Sequence, residues 1–267
     1  MTTSGNRPLR IGVQVAPQHA PYALLRDTVR RLEDLGVDII FNWDHFFPLS
    51  GDPDGMHFES WTMLAAMAEQ TSRVEFGPLV TCNSYRNPDL QADMARTIDH
   101  ISGGRFIFGT GSGWFARDYE EYGYEFGTAG SRLYALAVDL PRIRARWAKL
   151  NPAPVRDIPI LIGGGGEKKT LRIVAEHADI WHSFSDADTL IRKLGVLQHW
   201  CDEVGRDIAE IELSSSTGRR ENGSIDVSLL EAHYDLGVRL FEISVADPAH
   251  DLTAVVELLR WRDSVRA

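Results

Sequence analysis

Short apolar runs alternate along the chain with stretches in which apolar residues recur every three or four positions. The runs LRIGVQV (9–15), VDIIFNW (37–43), RVEFGPLV (73–80), RFIFGTG (105–111), IPILIG (158–163), DIWHSF (179–184), IELSSST (211–217) and RLFEISV (239–245) are rich in β-branched and aromatic residues and read as strands. Between them, Leu24, Leu25, Val29, Leu32 and Leu35 form a helical stripe over 22–35. Trp61, Leu64, Ala65 and Ala68 do so over 58–71, and Leu171, Val174 and Ala175 over 167–177. The chain closes on DLTAVVELLRWRD, another helical pattern. Eight strands, each followed by a helix, predict a single (β/α)8 TIM barrel spanning 1–267 as one domain. A doubly wound open sheet is the runner-up, but it more often carries five or six strands. The one long connection, Gly111 to Ile158, holds a helix predicted over 131–149.

Composition narrows the partners. With 43% apolar residues the chain can bury a large core, and its net charge of −10 comes without a basic block. Nucleic acid and anionic membrane are therefore not expected as main partners, while a local backbone nest could still hold a phosphate. Cys82 and Cys201 are too few for a disulfide scaffold or a cysteine zinc site. No stretch resembles a signal peptide or a membrane span, so a cytoplasmic protein is expected.

In a barrel, ligands sit at the carboxyl ends of the strands. Strand five ends in Gly163, Gly164, Gly165 and Gly166, followed by Glu167-Lys168-Lys169-Thr170. Four bare backbone units ahead of a helix N-terminus suit an anion. The run is neither a Walker loop, which needs glycine before its lysine, nor a dinucleotide fingerprint, whose third glycine is replaced by Lys168. Strand four ends in Gly109-Thr110-Gly111-Ser112-Gly113-Trp114, where alternating glycines admit a flat ligand or mark a bulged strand end. Strand two ends in Trp43-Asp44-His45-Phe46-Phe47, a candidate proton-transfer pair or a simple turn. Strand three runs into Cys82, Tyr85, Arg86 and Asn87-Pro88; the last two read as a helix cap, Cys82 as a small buried residue and Arg86 as a surface ion pair. Trp43, Phe47, Tyr85 and Trp114 would line a pocket for a flat or apolar substrate, whereas Trp61 reads as core. No metalloprotease H-E-x-x-H and no G-x-S-x-G elbow occur.

The stretches DHFFP (44–48), FGPLVTCNSYRNP (76–88), TIDHISGGRFIFGTGSGWFARDYEEYGY (97–124) and IPILIGGGGEKKTLRIVAEHADIW (158–181), in this order, resemble the luciferase-like monooxygenase superfamily. Within it they are most similar to the actinobacterial oxidoreductases that use coenzyme F-420, a deazaflavin. The resemblance implies a TIM barrel, often dimeric, with the cofactor across the strand ends. It places a non-proline cis peptide at Leu79-Val80, behind the reactive ring face. It makes His45, beside Asp44, the proton donor, and Gly163 to Gly166 the phosphate turn. Cofactor contacts extend by the same likeness to Asp44, Leu79, Val80, Cys82, Gly109, Gly111 and Ser112. Three functions follow: hydride transfer between coenzyme F-420 and a small, apolar organic substrate, with His45 positioned by Asp44; an FMN-dependent monooxygenase; or a non-catalytic flavin-binding protein. Ser112 and Leu49 stand where the family's sugar-phosphate dehydrogenases carry glutamate and tryptophan, which argues against that reaction. The connection from 149 to strand five is shorter than in the most similar members, which removes a segment that covers their pocket.

Overall fold

The computed structural model describes residues 7–218, 223–246 and 249–266. Its strands are β1 (Arg10–Val15), β2 (Ile39–Asn42), β3 (Glu75–Pro78), β4 (Thr81–Cys82), β5 (Phe108–Gly111), β6 (Ile160–Gly163), β7 (Ile180–Ser183), β8 (Glu212–Ser216) and β9 (Leu240–Val245). All pair in parallel, in the order β3-β2-β1-β9-β8-β7-β6-β5-β4. Both ends of that order belong to one stretch of chain, Glu75 to Cys82, so the sheet curls almost to closure; a parallel bridge between Phe76 and Phe106 narrows the gap. This is the expected TIM barrel. Of the expected third strand, 73–80, only Glu75–Pro78 is strand: β3 pairs with β2, the Leu79-Val80 peptide is cis, and a further short strand beyond it, β4, pairs with β5.

The helices are α1 (Tyr22–Leu35), α2 (Ser60–Gln70), α3 (Pro88–Ser102), α4 (Ala116–Tyr122), α5 (Ala129–Trp147), α6 (Thr170–His177), α7 (Ala187–Val204), α8 (Val227–Asp235) and α9 (Thr253–Arg266). α1 matches its predicted stripe and stops at Gly36, whose φ of 88° suits glycine. α3 starts as its Asn-Pro pair implies: the Asn87 side chain accepts from the amides of Asp89 and Leu90, and Pro88 occupies the first turn. The 111–158 connection holds two helices, α4 and α5, rather than one. At seven residues α4 is too short to show a helical period in sequence. Among the described residues no helix is long and apolar enough to cross a membrane.

Inside the barrel the side chains form layers. At the amino ends of the strands Arg10 bridges Glu75 and Glu212, each at 2.5 Å, and Arg156 reaches Glu75 at 2.6 Å. Above this lies an apolar layer of Ile39, Phe41, Leu79, Ile107, Leu161, Ile180 and Leu240. The charged closure at one end and this apolar plug leave only the carboxyl ends for a ligand. Trp61 packs outside the barrel against Phe106 and Phe108, 2% exposed, as core.

Candidate active site at the carboxyl ends of the strands

The cis bulge decides the shape of the mouth. A Cβ on Gly109 would lie 1.9 Å from the Pro78 carbonyl oxygen, and one on Gly111 would lie 2.9 Å from Val80 Cγ2. On Gly163 it would come within 3.0 Å of Val80 Cγ1. The alternating glycines of strand β5 are thus first a seat for the bulge. Once seated, Val80 and the flanking glycines present a floor free of tall side chains, the surface a planar ring requires.

His45 follows the end of β2 and is buried. Its Nδ1 lies 2.6 Å from Asp118 Oδ2. A carboxylate only accepts, so the ring proton sits on Nδ1 and Nε2 is left without a protein partner among the described residues. Asp118, in the first turn of α4, is fully buried. It also accepts from the Tyr85 hydroxyl at 2.8 Å and from the Phe46 amide at 3.0 Å. Trp114 and Phe115 stand edge-on to the imidazole, with centroids 5.7 and 5.4 Å away.

Asp44 therefore does not position His45. Its carboxylate is taken by Arg86 through two bonds of 2.6 and 3.0 Å, by the Thr81 hydroxyl at 2.5 Å and by the Cys82 amide at 3.2 Å. Neighbouring residues of an extended segment point to opposite sides, so Asp44 and His45 face different surroundings. Arg86, expected on the surface, is largely buried in this pair and also reaches Glu59 at 2.7 Å. Cys82 is turned inward: its Sγ lies 3.1 Å from the Tyr119 hydroxyl, and burial pushes the thiol up. Tyr85 is likewise committed to Asp118 rather than open to the mouth.

Of the remaining expected pocket residues, Trp43 donates its indole N–H to His57 Nε2 at 3.2 Å. Burial drops the His57 pKa to about 4. Phe47 lies under the Arg117 guanidinium, 3.9 Å from its centroid, and Trp114 is 64% exposed at the rim. Ser112 is half-buried between Gly111 and Gly113.

Gly163 to Gly166 connect β6 to α6, with Gly164 at φ 131° and its carbonyl taking the Trp181 indole N–H at 2.7 Å. Among the described residues nothing accepts from the amides of Gly165 and Gly166. A Cβ on Gly165 would lie 2.3 Å from Lys193 Nζ, and one on Gly166 would lie 2.8 Å from Thr170 Oγ1. The turn is a cradle of free N–H groups with an ammonium and a hydroxyl beside it, and it fits a phosphate. Sequence reasoning found the glycines but missed Lys193, which arrives from α7, and Asp118. Asp118 lies inside a family-like stretch, but nothing local separates it from a solvated acid.

The non-proline cis bond falls at Leu79-Val80, where the family resemblance places one. Residues 4–135 match the family model described as luciferase-like monooxygenase. It is 30% identical over 190 residues to the F-420-dependent glucose-6-phosphate dehydrogenase of Amycolatopsis mediterranei, covering 64% of this chain and 54% of that protein. It is 27% identical over 218 residues to the pyrimidine monooxygenase RutA of Acinetobacter baylyi, covering 72% and 58%. The chain thus spans somewhat more than half the length of these curated relatives. An F-420-dependent secondary alcohol dehydrogenase, solved with an F-420–acetone adduct, superposes with a TM-score of 0.81 at 16% identity, covering 94% of this chain and 98% of that one. At that identity the likeness speaks for the fold.

Proposed function

We propose that the protein transfers a hydride between the deazaflavin coenzyme F-420 and a small organic substrate, with His45 exchanging the accompanying proton. The observation that carries this is His45 itself, held through Nδ1 by a buried carboxylate with Nε2 left for the mouth. The floor around Val80, Gly111 and Gly163 would take the ring, and Gly165, Gly166, Lys193 and Thr170 would hold its phosphate. The bound deazaflavin would supply or accept the hydride. The chain provides the rest. His45 Nε2 gives a proton to a carbonyl oxygen in reduction, or takes one from a hydroxyl in oxidation, an effect of roughly 10²–10⁴ in rate. Asp118 fixes the tautomer and steadies the imidazolium, and the aromatic shell of Trp114 and Phe115 limits water beside it.

The second reading keeps the fold and uses FMN to activate oxygen; the relationship to a pyrimidine monooxygenase supports it. Fluorescence titration with oxidised coenzyme F-420 and, separately, with FMN tests the choice. Saturable deazaflavin binding, weakened by Gly165→Val, is expected. Preference for FMN together with oxygen uptake on its reduction would overturn the proposal.

A further inference from the structure

Four aromatic residues are expected from the sequence to line the pocket, and the fold commits three of them elsewhere. Trp43 gives its indole N–H to His57, Phe47 lies under the Arg117 guanidinium, and the Tyr85 hydroxyl is spent on Asp118. Trp114 is left. Of the seven tryptophans in the chain, it alone is mostly exposed. A ring of this size is ordinarily buried, with its N–H on an acceptor. Trp61, Trp147, Trp181 and Trp200 follow that habit. Their N–H groups go to Thr81 Oγ1 and to the carbonyl oxygens of Ala92, Gly164 and Glu167. Among the described residues nothing accepts from the N–H of Trp114.

This exposure is not looseness. Gly113, just before it, has a φ of 80°, and a Cβ there would lie 2.1 Å from the Tyr119 hydroxyl and 2.5 Å from Cys82 Sγ. Only glycine fits, so the chain leaves β5 in one direction. The Gly113 carbonyl oxygen accepts from Arg132 Nε at 3.1 Å, and Phe115, on the other side, is the cap residue of α4. The backbone of Trp114 is therefore held at both flanks. Its ring centroid stands 5.7 Å from that of His45 and 5.4 Å from that of Phe115. A large apolar ring is thus kept in solvent, in a set place, beside the one imidazole that has a nitrogen to spare.

We propose that Trp114 is the specificity-determining residue of the site, and that it selects substrates whose reacting carbonyl or hydroxyl is borne next to a flat aromatic ring. A group hydrogen-bonded to His45 Nε2 lies about 4 Å from the imidazole centre, so a ring carried on the reacting carbon comes within stacking range of the indole. Stacked or edge-on aromatic pairs gain about two- to tenfold in affinity beyond the area they bury. A saturated ring of equal size gains the area alone. Phe184, 72% exposed at the end of β7, stands two strands from β5, about 10 Å at ordinary strand spacing, with the bare turn from Gly163 to Gly165 between. The entrance is flanked by aromatic rings and has no bulk between them, a slot for something flat. The choice of reacting group rests on the proposed role of His45, whereas the stacking can be tested apart from it.

The probes are acetophenone and cyclohexyl methyl ketone, which share a carbon skeleton and differ in whether the ring is flat and aromatic. The saturated ring offers as much apolar area, so a preference for the flat one reports stacking. Binding to the full chain, with and without coenzyme F-420, would be followed by ligand-observed NMR, with a thermal melt to confirm that each variant folds. Acetophenone is expected to bind about two- to tenfold more tightly. That preference is expected to vanish in Trp114→Leu and to return in part in Trp114→Phe, which restores a ring without the indole. Equal binding of the two ketones, binding of neither, or a preference unchanged in Trp114→Leu overturns the proposal. Aromatic selectivity without reduction of the bound ketone by reduced coenzyme F-420 would keep the role of Trp114 and remove the hydride-transfer reading.

Discussion

Two buried histidines lie towards the carboxyl ends of the strands, and they are held in opposite ways. His45, on the β2 side, has one ring nitrogen on a buried carboxylate and the other without a protein partner. His182, on the β7 side, has both nitrogens on serine hydroxyls and no freedom to change state. The first arrangement suits proton transfer, since the carboxylate fixes one nitrogen and the other stays available. The second suits a scaffold. Burial alone does not distinguish a catalytic imidazole from a structural one; the number of its nitrogens already bonded does.

The largest effect expected from breaking this contrast is at Asp118. Asp118→Asn removes the anion opposite His45 and should lower turnover of an identified substrate by about 10²–10⁴. The deazaflavin dissociation constant should stay within twofold. Nitrogen-15 NMR of the His45 ring would report the lost Nδ1 tautomer, which a merely looser fold would not mimic.

Asp44→Ala should act on stability instead. It leaves Arg86 buried without its main partner, a loss of about 3–5 kcal/mol in urea unfolding, while the His45 ring signals remain as in the native chain. If those signals move as they do in Asp118→Asn, the separation of the two carboxylates is wrong. Gly111→Val crowds Val80 and should cost about 1–3 kcal/mol, with flavin or deazaflavin binding reduced in parallel.

Acid behaviour sharpens the comparison further. His182 and His57 have pKa values dropped to about 3 and about 4, against an ordinary 6.5. Below pH 6.5 the unfolded chain binds protons that the native one refuses, so stability should fall as pH drops from 6.5 towards 4 and not change on this account above 6.5. His182→Gln should flatten the slope of unfolding free energy by about 1.4 kcal/mol per pH unit within that window. An unchanged slope would mean His182 is protonated in the fold. The smallest effect is at the rim: Trp114→Ala should shift stability by under ~0.5 kcal/mol, because the ring is mostly exposed.

The parts that sequence revealed and the parts it hid differ in range. Strands, α1 and the Asn87-Pro88 start of α3 follow from periodicity and local caps, which act within a few residues. The glycine turn was legible because four glycines have few other uses. His45 was legible as a type, but its partner was not. Adjacency pointed to Asp44, whereas alternation along an extended segment turns Asp44 to Arg86 and the barrel brings Asp118 from 73 residues away. The setting of His182 was hidden for a related reason. His182 and its partners Ser214 and Ser216 lie on two different strands, and each alone reads as an ordinary polar position.

Val80 carries one more consequence. Its two methyls fill the volume that Gly111 and Gly163 leave vacant, so the size of residue 80 and the bareness of those two positions are interlocked. An engineer wishing to deepen the cup could trim position 80 to alanine and leave every proton-handling and recognition group in place. One wishing to make it shallower would find no such lever, because anything bulkier collides with two neighbouring strands at once. The cup can be enlarged from below with a single change, but it can be filled only from above.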